Sequence, residues 1–196
     1  MSIVFGTVAT SDRIDFGAGS TLSNLADWTY IAWVYRTSNA NNQHIISKDN
    51  TAAAPRGPRI VFETGTRCEL RVAVGASTTS PTVVVANGTS RINRWECVAG
   101  TFKTSTLSCG AAVGTETEPM YQPAYGTNTV GVGTVVADTG FSLWVCNLQR
   151  APTNPFFGGI AWAGVYPRVL TLAEMEQWRQ DTMAGRVPNT PGARLL

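Results

Sequence analysis

The stretch that decides the fold is Phe156-Phe157-Gly158-Gly159-Ile160-Ala161-Trp162-Ala163-Gly164-Val165-Tyr166-Pro167-Arg168-Val169-Leu170-Thr171-Leu172-Ala173-Glu174-Met175-Glu176. An apolar run of strand-like composition stops at Pro167, which cannot donate to a sheet ladder. Thr171 then stands three residues before Glu174, the spacing of a reciprocal N-terminal capping box. Leu172, Met175 and Trp178 follow at i, i+3 and i+6 and predict one apolar helix stripe, with Gly185 as the stop. The helix is expected over 171–184, packed on the body of the protein. It is the one clear helix signal in a chain otherwise punctuated as β-structure.

Upstream, strand signals recur at short, regular spacing, divided by Gly, Pro, Asn and Ser clusters. Expected strands are Ile3–Phe5, Arg13–Phe16, Trp28–Thr37, His44–Ser47, Arg59–Glu63, Arg67–Val74, Thr82–Ala86, Arg94–Phe102, Thr106–Val113, Thr129–Val136, Phe141–Asn147 and Gly159–Tyr166. Within Trp28–Thr37, Tyr30, Ala32 and Val34 alternate with Ile31, Trp33 and Tyr35, so the strand has two faces. Asn87-Gly88 is a strong hairpin turn, and Thr64-Gly65-Thr66 and Lys103-Thr104-Ser105 connect further hairpins. Many short strands with no interleaved helices predict an all-β fold: a two-sheet antiparallel, jelly-roll-like β-sandwich with one short C-terminal helix. The sandwich with its helix occupies 1–184 and a C-terminal extension occupies 185–196.

At 196 residues the chain suits one all-β sandwich. Charged residues are only 14% and the net charge is +2, which offers no strong field for nucleic acid or an anionic membrane. The basic residues are 13 Arg and 2 Lys, Lys48 and Lys103, and Arg is the better interface anchor. Coding bias explains the same imbalance. The start, Met1-Ser2-Ile3-Val4-Phe5-Gly6, has neither a basic n-region nor a long apolar run, so neither a signal peptide nor a membrane span is expected. The tail from Gly185 to Leu196, with Pro188, Pro191 and Gly192, is not expected to order itself, and a partner subunit is the expected support.

Few residues offer chemistry. His44 is the single histidine and lies in a strand, so any Ser-His-Asp or Cys-His arrangement would have to use it; a structural role is the expectation. Cys68, Cys97, Cys109 and Cys146 form no C-x-x-C pair. Cys97 and Cys109 could face each other across a hairpin, but free buried thiols are the better reading. Asp12 and Asp15, with Asp138 more distant, are the candidates for calcium, against a turn role for Asp12. Glu116 and Glu118 lie in a loop. Asn87-Gly88-Thr89 is formally a glycosylation acceptor, but the turn reading wins. The segment Gly114–Asn128 is the longest irregular stretch, either a contact arm or a passive surface excursion. Of six tryptophans, Trp28, Trp33, Trp95, Trp144, Trp162 and Trp178, most belong to strands and to the core, and Trp28 and Trp162 are the ones to watch for exposure as sugar-stacking surfaces.

Five ordered motifs, spanning nearly the whole chain, are similar to the laminin-G-like, concanavalin-A-like module widespread in bacterial and phage proteins. Val4-Phe5-Gly6 through Ser11-Asp12-Arg13-Ile14-Asp15-Phe16-Gly17 resembles its opening. Thr29-Tyr30-Ile31-Ala32-Trp33-Val34 resembles "F-T-(I/V)-x-A-W-V". Ile45-Ile46-Ser47-Lys48 resembles "I-(I/V)-S-K". Trp95-Glu96-Cys97-Val98-Ala99-Gly100-Thr101-Phe102 resembles "W-x-H-V-A-x-T-(Y/F)". The final stretch resembles "F-x-G-x-I-D-E-V-x-I-Y-x-R-A-L-S-x-x-E-I". The chain departs from the pattern at Ala161, where an acid is usual, at Cys97, where a histidine is usual, and at Ser108-Cys109-Gly110, which lacks the usual asparagine. In the related glucanases the carboxylates form an E-x-D-x-x-E-type cluster on one strand, and Glu116-Thr117-Glu118 does not match it.

The resemblance implies a fold that hosts lectins, glucanases, adhesion modules and virion proteins, and so does not itself fix a function. The departures argue against a calcium-dependent lectin. The expectation is a non-enzymatic structural or interaction module with no catalytic, cofactor-binding or metal-binding residues and no cofactor. Its most plausible setting is a phage virion surface, as a capsid decoration or cement protein, made in the host cytoplasm. Its partners would be other protein subunits, including copies of itself. The alternative is a carbohydrate-binding, lectin-like adhesion module with a glycan partner.

Overall fold

The computed structural model describes residues 3–5, 13–19, 22–49, 58–64, 67–72, 82–86, 92–122, 134–135, 137–147, 156–188 and 194–195. In chain order the strands are β1 (Ile3–Phe5), β2 (Ile14–Asp15), β3 (Asp27–Arg36), β4 (Gln43–Asp49), β5 (Arg59–Thr64), β6 (Arg67–Arg71), β7 (Thr82–Ala86), β8 (Trp95–Lys103), β9 (Ser108–Thr115), β10 (Ser142–Val145), β11 (Gly158–Tyr166) and β12 (Arg194–Leu195). The helix α1 (Leu172–Met183) lies between β11 and β12. One sheet runs β1-β11-β3-β8-β9, with β12 also on β11; the other runs β2-β10-β4-β5-β6-β7. Every pairing is antiparallel, so the expected two-sheet sandwich with one helix is what the chain forms.

The alternation along β3 decides the layers. Trp28, Tyr30, Ala32 and Val34 face inward and pack with Val98, Phe102, Val113, Ile160 and Val165 of their own sheet and Ile46, Ile60, Phe62, Leu70 and Leu143 of the other. The opposite face of β3 carries Ile31 and Trp33, which join Cys97, Ala99, Ala112 and Tyr166 beneath the helix residues Met175 and Trp178. The first sheet therefore carries a buried cluster on each face, and α1 covers the outer one. Trp28, expected to show exposure, is 3% accessible. It sits 4.5 Å from Tyr30 and 5.6 Å from Phe102 between the sheets, because even positions of β3 point inward.

The helix ends follow their sequence signals. Thr171 Oγ1 accepts from Glu174 N at 3.3 Å, and Glu174 Oε2 accepts from Thr171 N at 2.8 Å, completing the capping box. Leu170 and Met175 are both buried in one cluster, the hydrophobic staple across the cap. At the other end Gly185 has φ +69, with Gly185 N–H donating to Thr182 O and Arg186 N–H to Asp181 O, a Schellman stop. The apolar stripe differs from expectation. Met175 and Trp178 are buried, but Leu172 is 38% exposed and the face continues through Arg179 and Thr182. Leu172 is the first helical residue, and Leu170, before the cap, takes the apolar position that Leu172 was expected to fill.

The tail also differs. Arg194 and Leu195 pair with Val165 and Gly164 of β11, so these two residues of the extension are held by a strand of their own chain.

Candidate functional site

Antiparallel alternation breaks once in β11. Ile160 pairs with Val34 and Ala163 with Ala32, so Ala161 and Trp162 together oppose Trp33. This is a β-bulge, which re-aims side chains and restarts the alternation in the opposite phase. Ile160 and Ala163 both point into the sandwich, while Ala161 and Trp162 both join the outer cluster, half-buried. The bulge thus sets an indole and a small residue side by side next to Trp33.

Around this point the outer face holds a pocket of about 200 Å³ that opens to solvent. It is lined by Trp33 from β3, Trp95 from β8, Ala161 and Trp162 from β11, Thr182 and Met183 from α1, and Glu116 just beyond β9. Trp33 is the buried floor at 4% accessibility, and Met183 is a rim residue at 47%. Trp33 Nε1 donates to Thr182 Oγ1 at 2.8 Å, and that hydroxyl donates on to Trp178 O. Tyr35 stands 5.4 Å from the Trp95 ring and braces it. These contacts hold the Trp33 and Trp95 indoles in place.

The other walls are fixed by a charged clamp. Arg179 donates bidentately to Glu176, Nε to Oε2 at 2.8 Å and Nη2 to Oε1 at 2.7 Å, and Nη1 donates to Thr115 O at 2.6 Å. Glu176 also accepts from Met120 N at 2.7 Å. The Arg179 guanidinium, with help from the Met120 amide, holds the Glu176 carboxyl at about 2. Residues 115–121, expected as part of an irregular arm, are therefore built onto the sheet: Thr115 Oγ1 accepts from Glu118 N, Val113 pairs with Tyr121, and Met120 is buried under the helix. Positions 123–128 of that arm lie outside the described residues.

The remaining candidates are dispersed. His44 is 3% accessible, in the other sheet. Cys97, Cys109 and Cys146 are buried thiols. Cys97 belongs to the outer cluster and Cys109 to the inner core, so the sheet itself separates them. Burial raises the Cys109 thiol to about 12. The Cys68 side chain, Asp12 and Asn87-Gly88-Thr89 lie outside the described residues. Asp15 accepts from Gly17 N at 2.8 Å, a local turn. Asp138 does hold a cation, but it is the chain's own: Lys48 Nζ lies 2.9 Å from its Oδ1, with both residues buried. Among the described residues no group of three or more His, Cys, Asp or Glu side chains converges on a metal position. Glu118 is not among the residues lining the pocket.

The match to known proteins decides the family. Residues 8–176 match the model of the concanavalin A-like lectin/glucanases superfamily. The chain belongs to that superfamily. Among curated proteins no sequence matches the chain. Solved structures sharing the concanavalin A-like fold include the carbohydrate-binding module CBM40 of the Ruminococcus gnavus IT-sialidase bound to α2,3 sialyllactose, at 15% identity and TM-score 0.57, covering 84% of this chain and 94% of that one. The binding domain of botulinum neurotoxin serotype G is similar at 14% identity and TM-score 0.64, over 93% of this chain and 45% of that one. A SAP-like pentraxin from Limulus polyphemus is similar at 11% identity and TM-score 0.54, over 88% and 83%. At these identities the likeness is one of fold.

The departure at Ala161 from the pattern the chain resembles falls at a position that lines the pocket, but as the loss of a polar residue it gave no sign of an aromatic site. Trp95, Glu116 and Met183 were not recognisable as neighbours, because only the register of β8 on β3 and the docking of α1 bring them together.

Proposed function

We propose that the protein is a non-enzymatic carbohydrate-binding module and that its binding site is the pocket lined by Trp33, Trp95 and Trp162. The observation that carries the reading is the bulge at Ala161–Trp162, which sets a half-buried indole beside two others in one pocket on the helix-covered face. Flat, rigid indoles offer a large contact area at low entropic cost, and the apolar face of a pyranose is a matching surface. The site is pre-formed, since Trp33 is hydrogen-bonded to the helix and Trp95 is braced by Tyr35. A volume of about 200 Å³ is below the roughly 300–1,000 Å³ of drug-sized sites, which suits one sugar ring or a terminal residue. Glu116 is the one carboxylate among the lining residues, whereas glycoside hydrolysis uses two, and this supports binding without cleavage. The sialyllactose-bound CBM40 and the other carbohydrate-binding neighbours supply the precedent for the fold.

A glycan array followed by calorimetric titration of hits tests the reading. Binding that disappears in Ala161→Leu, which fills the pocket without removing an indole, is the expected result. Hits whose affinity is untouched by Ala161→Leu would refute the site.

A second reading is a protein-contact role on a phage particle surface. It is favoured by the exposed apolar side chains of Val169, Leu172, Met183 and Val187 around α1 and by the low charge. Co-sedimentation with particles from the native source, lost in Leu172→Glu, is its expected signature.

A further inference from the structure

We propose that the tryptophan pocket selects a sugar whose amino group is free and protonated, a hexosamine residue rather than a neutral, N-acetylated or acidic one. The proposal rests on the glycan reading above and adds the charge of the ligand.

Three features of the lining carry it. Indole faces attract cations through the ring quadrupole, and three indoles, Trp33, Trp95 and Trp162, surround one small volume. Glu116 is exposed at the rim and makes no ion pair among the described residues, so its carboxylate is available to a ligand ammonium. Among the described residues that line the pocket there is no lysine or arginine.

The neighbouring cations do not reverse this balance. Arg179 Nη1 approaches the Glu116 backbone oxygen at 3.5 Å, but its charge is matched by the bidentate pair with Glu176. Arg186 is paired with Asp181 at 2.9 Å. The lining therefore has the wrong sign for a carboxylate-bearing sugar such as the sialyllactose bound by the CBM40 relative, and the right sign for an ammonium. The size agrees: a volume of about 200 Å³ holds one ring with its amine and leaves the rest of a chain in solvent. Non-specific attraction does not explain such a preference, because the chain as a whole carries a net charge of +2 and repels cations.

The test is a titration of the full chain, followed by tryptophan fluorescence and calorimetry. The probes are a glucosamine disaccharide with free amines, its N-acetylated counterpart and the corresponding glucose disaccharide, at a pH below the pKa of the amine. The free-amine sugar is expected to bind roughly tenfold more tightly than the other two, the scale of one charge-assisted hydrogen bond with its cation–π contacts. Glu116→Gln, on an exposed side chain that lines the pocket, is expected to lower affinity for the free-amine sugar far more than for the glucose disaccharide, so that most of the preference is lost. If the glucose and N-acetylated sugars bind as tightly as the free-amine sugar, or if Glu116→Gln leaves the ratio unchanged, the charge selection is overturned while the glycan reading stands. If none of the sugars binds, and the glycan array is also silent, both fall together.

Discussion

Lys48 gives the sharpest stability prediction. Its side chain is 1% accessible, and its ammonium meets Asp138 Oδ1 at 2.9 Å, Asp138 O at 3.1 Å and Ser23 Oγ at 3.2 Å. Asp138 Oδ1 accepts in addition from Asn24 N at 2.6 Å. One buried ion pair therefore ties the loop before β3 and the loop before β10 to β4. Lys48→Met keeps most of the aliphatic stem but leaves the Asp138 carboxylate, whose side chain is only 10% accessible, without its counter-charge. Removing one partner of a buried pair costs about 3–5 kcal/mol. In a domain of this length that lowers Tm by roughly 6–20 °C. Adding Asp138→Asn removes the stranded charge and keeps an oxygen for Asn24 N–H, so the double variant should recover about 1–2 kcal/mol relative to the sum of the single changes. Urea unfolding followed by tryptophan fluorescence measures all four corners of this cycle. A cost for Lys48→Met below about 1 kcal/mol, or strict additivity in the cycle, would refute the argument.

Three further outcomes are expected. Gly158 has φ +146, and a Cβ there would overlap the Tyr35 carbonyl oxygen of the adjacent strand, so Gly158→Ala should cost about 2–5 kcal/mol in thermal unfolding. Glu174 is held at about 2, first by Arg168 and then by the Thr171 amide, and Glu176 at about 2, first by Arg179. Both folded values lie below the ordinary 4.5, so their stabilisation is complete above that pH and is lost as pH falls toward 2. Near-UV circular dichroism should show α1 loosening in that window, with Glu176 contributing more because Glu174 and Arg168 are each about a third exposed. Cys97, Cys109 and Cys146 are buried, with the Cys97 and Cys109 thiols raised by desolvation; a thiol reagent should label none of the three until the protein unfolds.

Strand composition, turn residues and the capping box made the fold legible, because each is a local signal. The alternation of β3 even assigned its two faces correctly. The site was not legible for three separable reasons. The bulge at Ala161–Trp162 is a register event, and periodicity read along a single strand continues through it without a mark. The pocket draws on five segments of chain, and α1 reaches it through Thr182 and Met183, beyond the i, i+3, i+6 stripe. Trp28 and Trp162 look equally exposed in sequence, yet one falls on the inward phase of β3 and the other in the bulge.

The central claim is that an aromatic pocket on the helix-covered sheet is the binding surface, and indole N–H resonances report on it one tryptophan at a time. In an NMR titration of ¹⁵N-labelled protein with a glycan hit, the signals of Trp33, Trp95 and Trp162 should shift with one saturation curve, while those of Trp28, Trp144 and Trp178 stay in place. Shifts confined to Trp28 or Trp144, or saturable binding that moves none of the first three, would contradict the account.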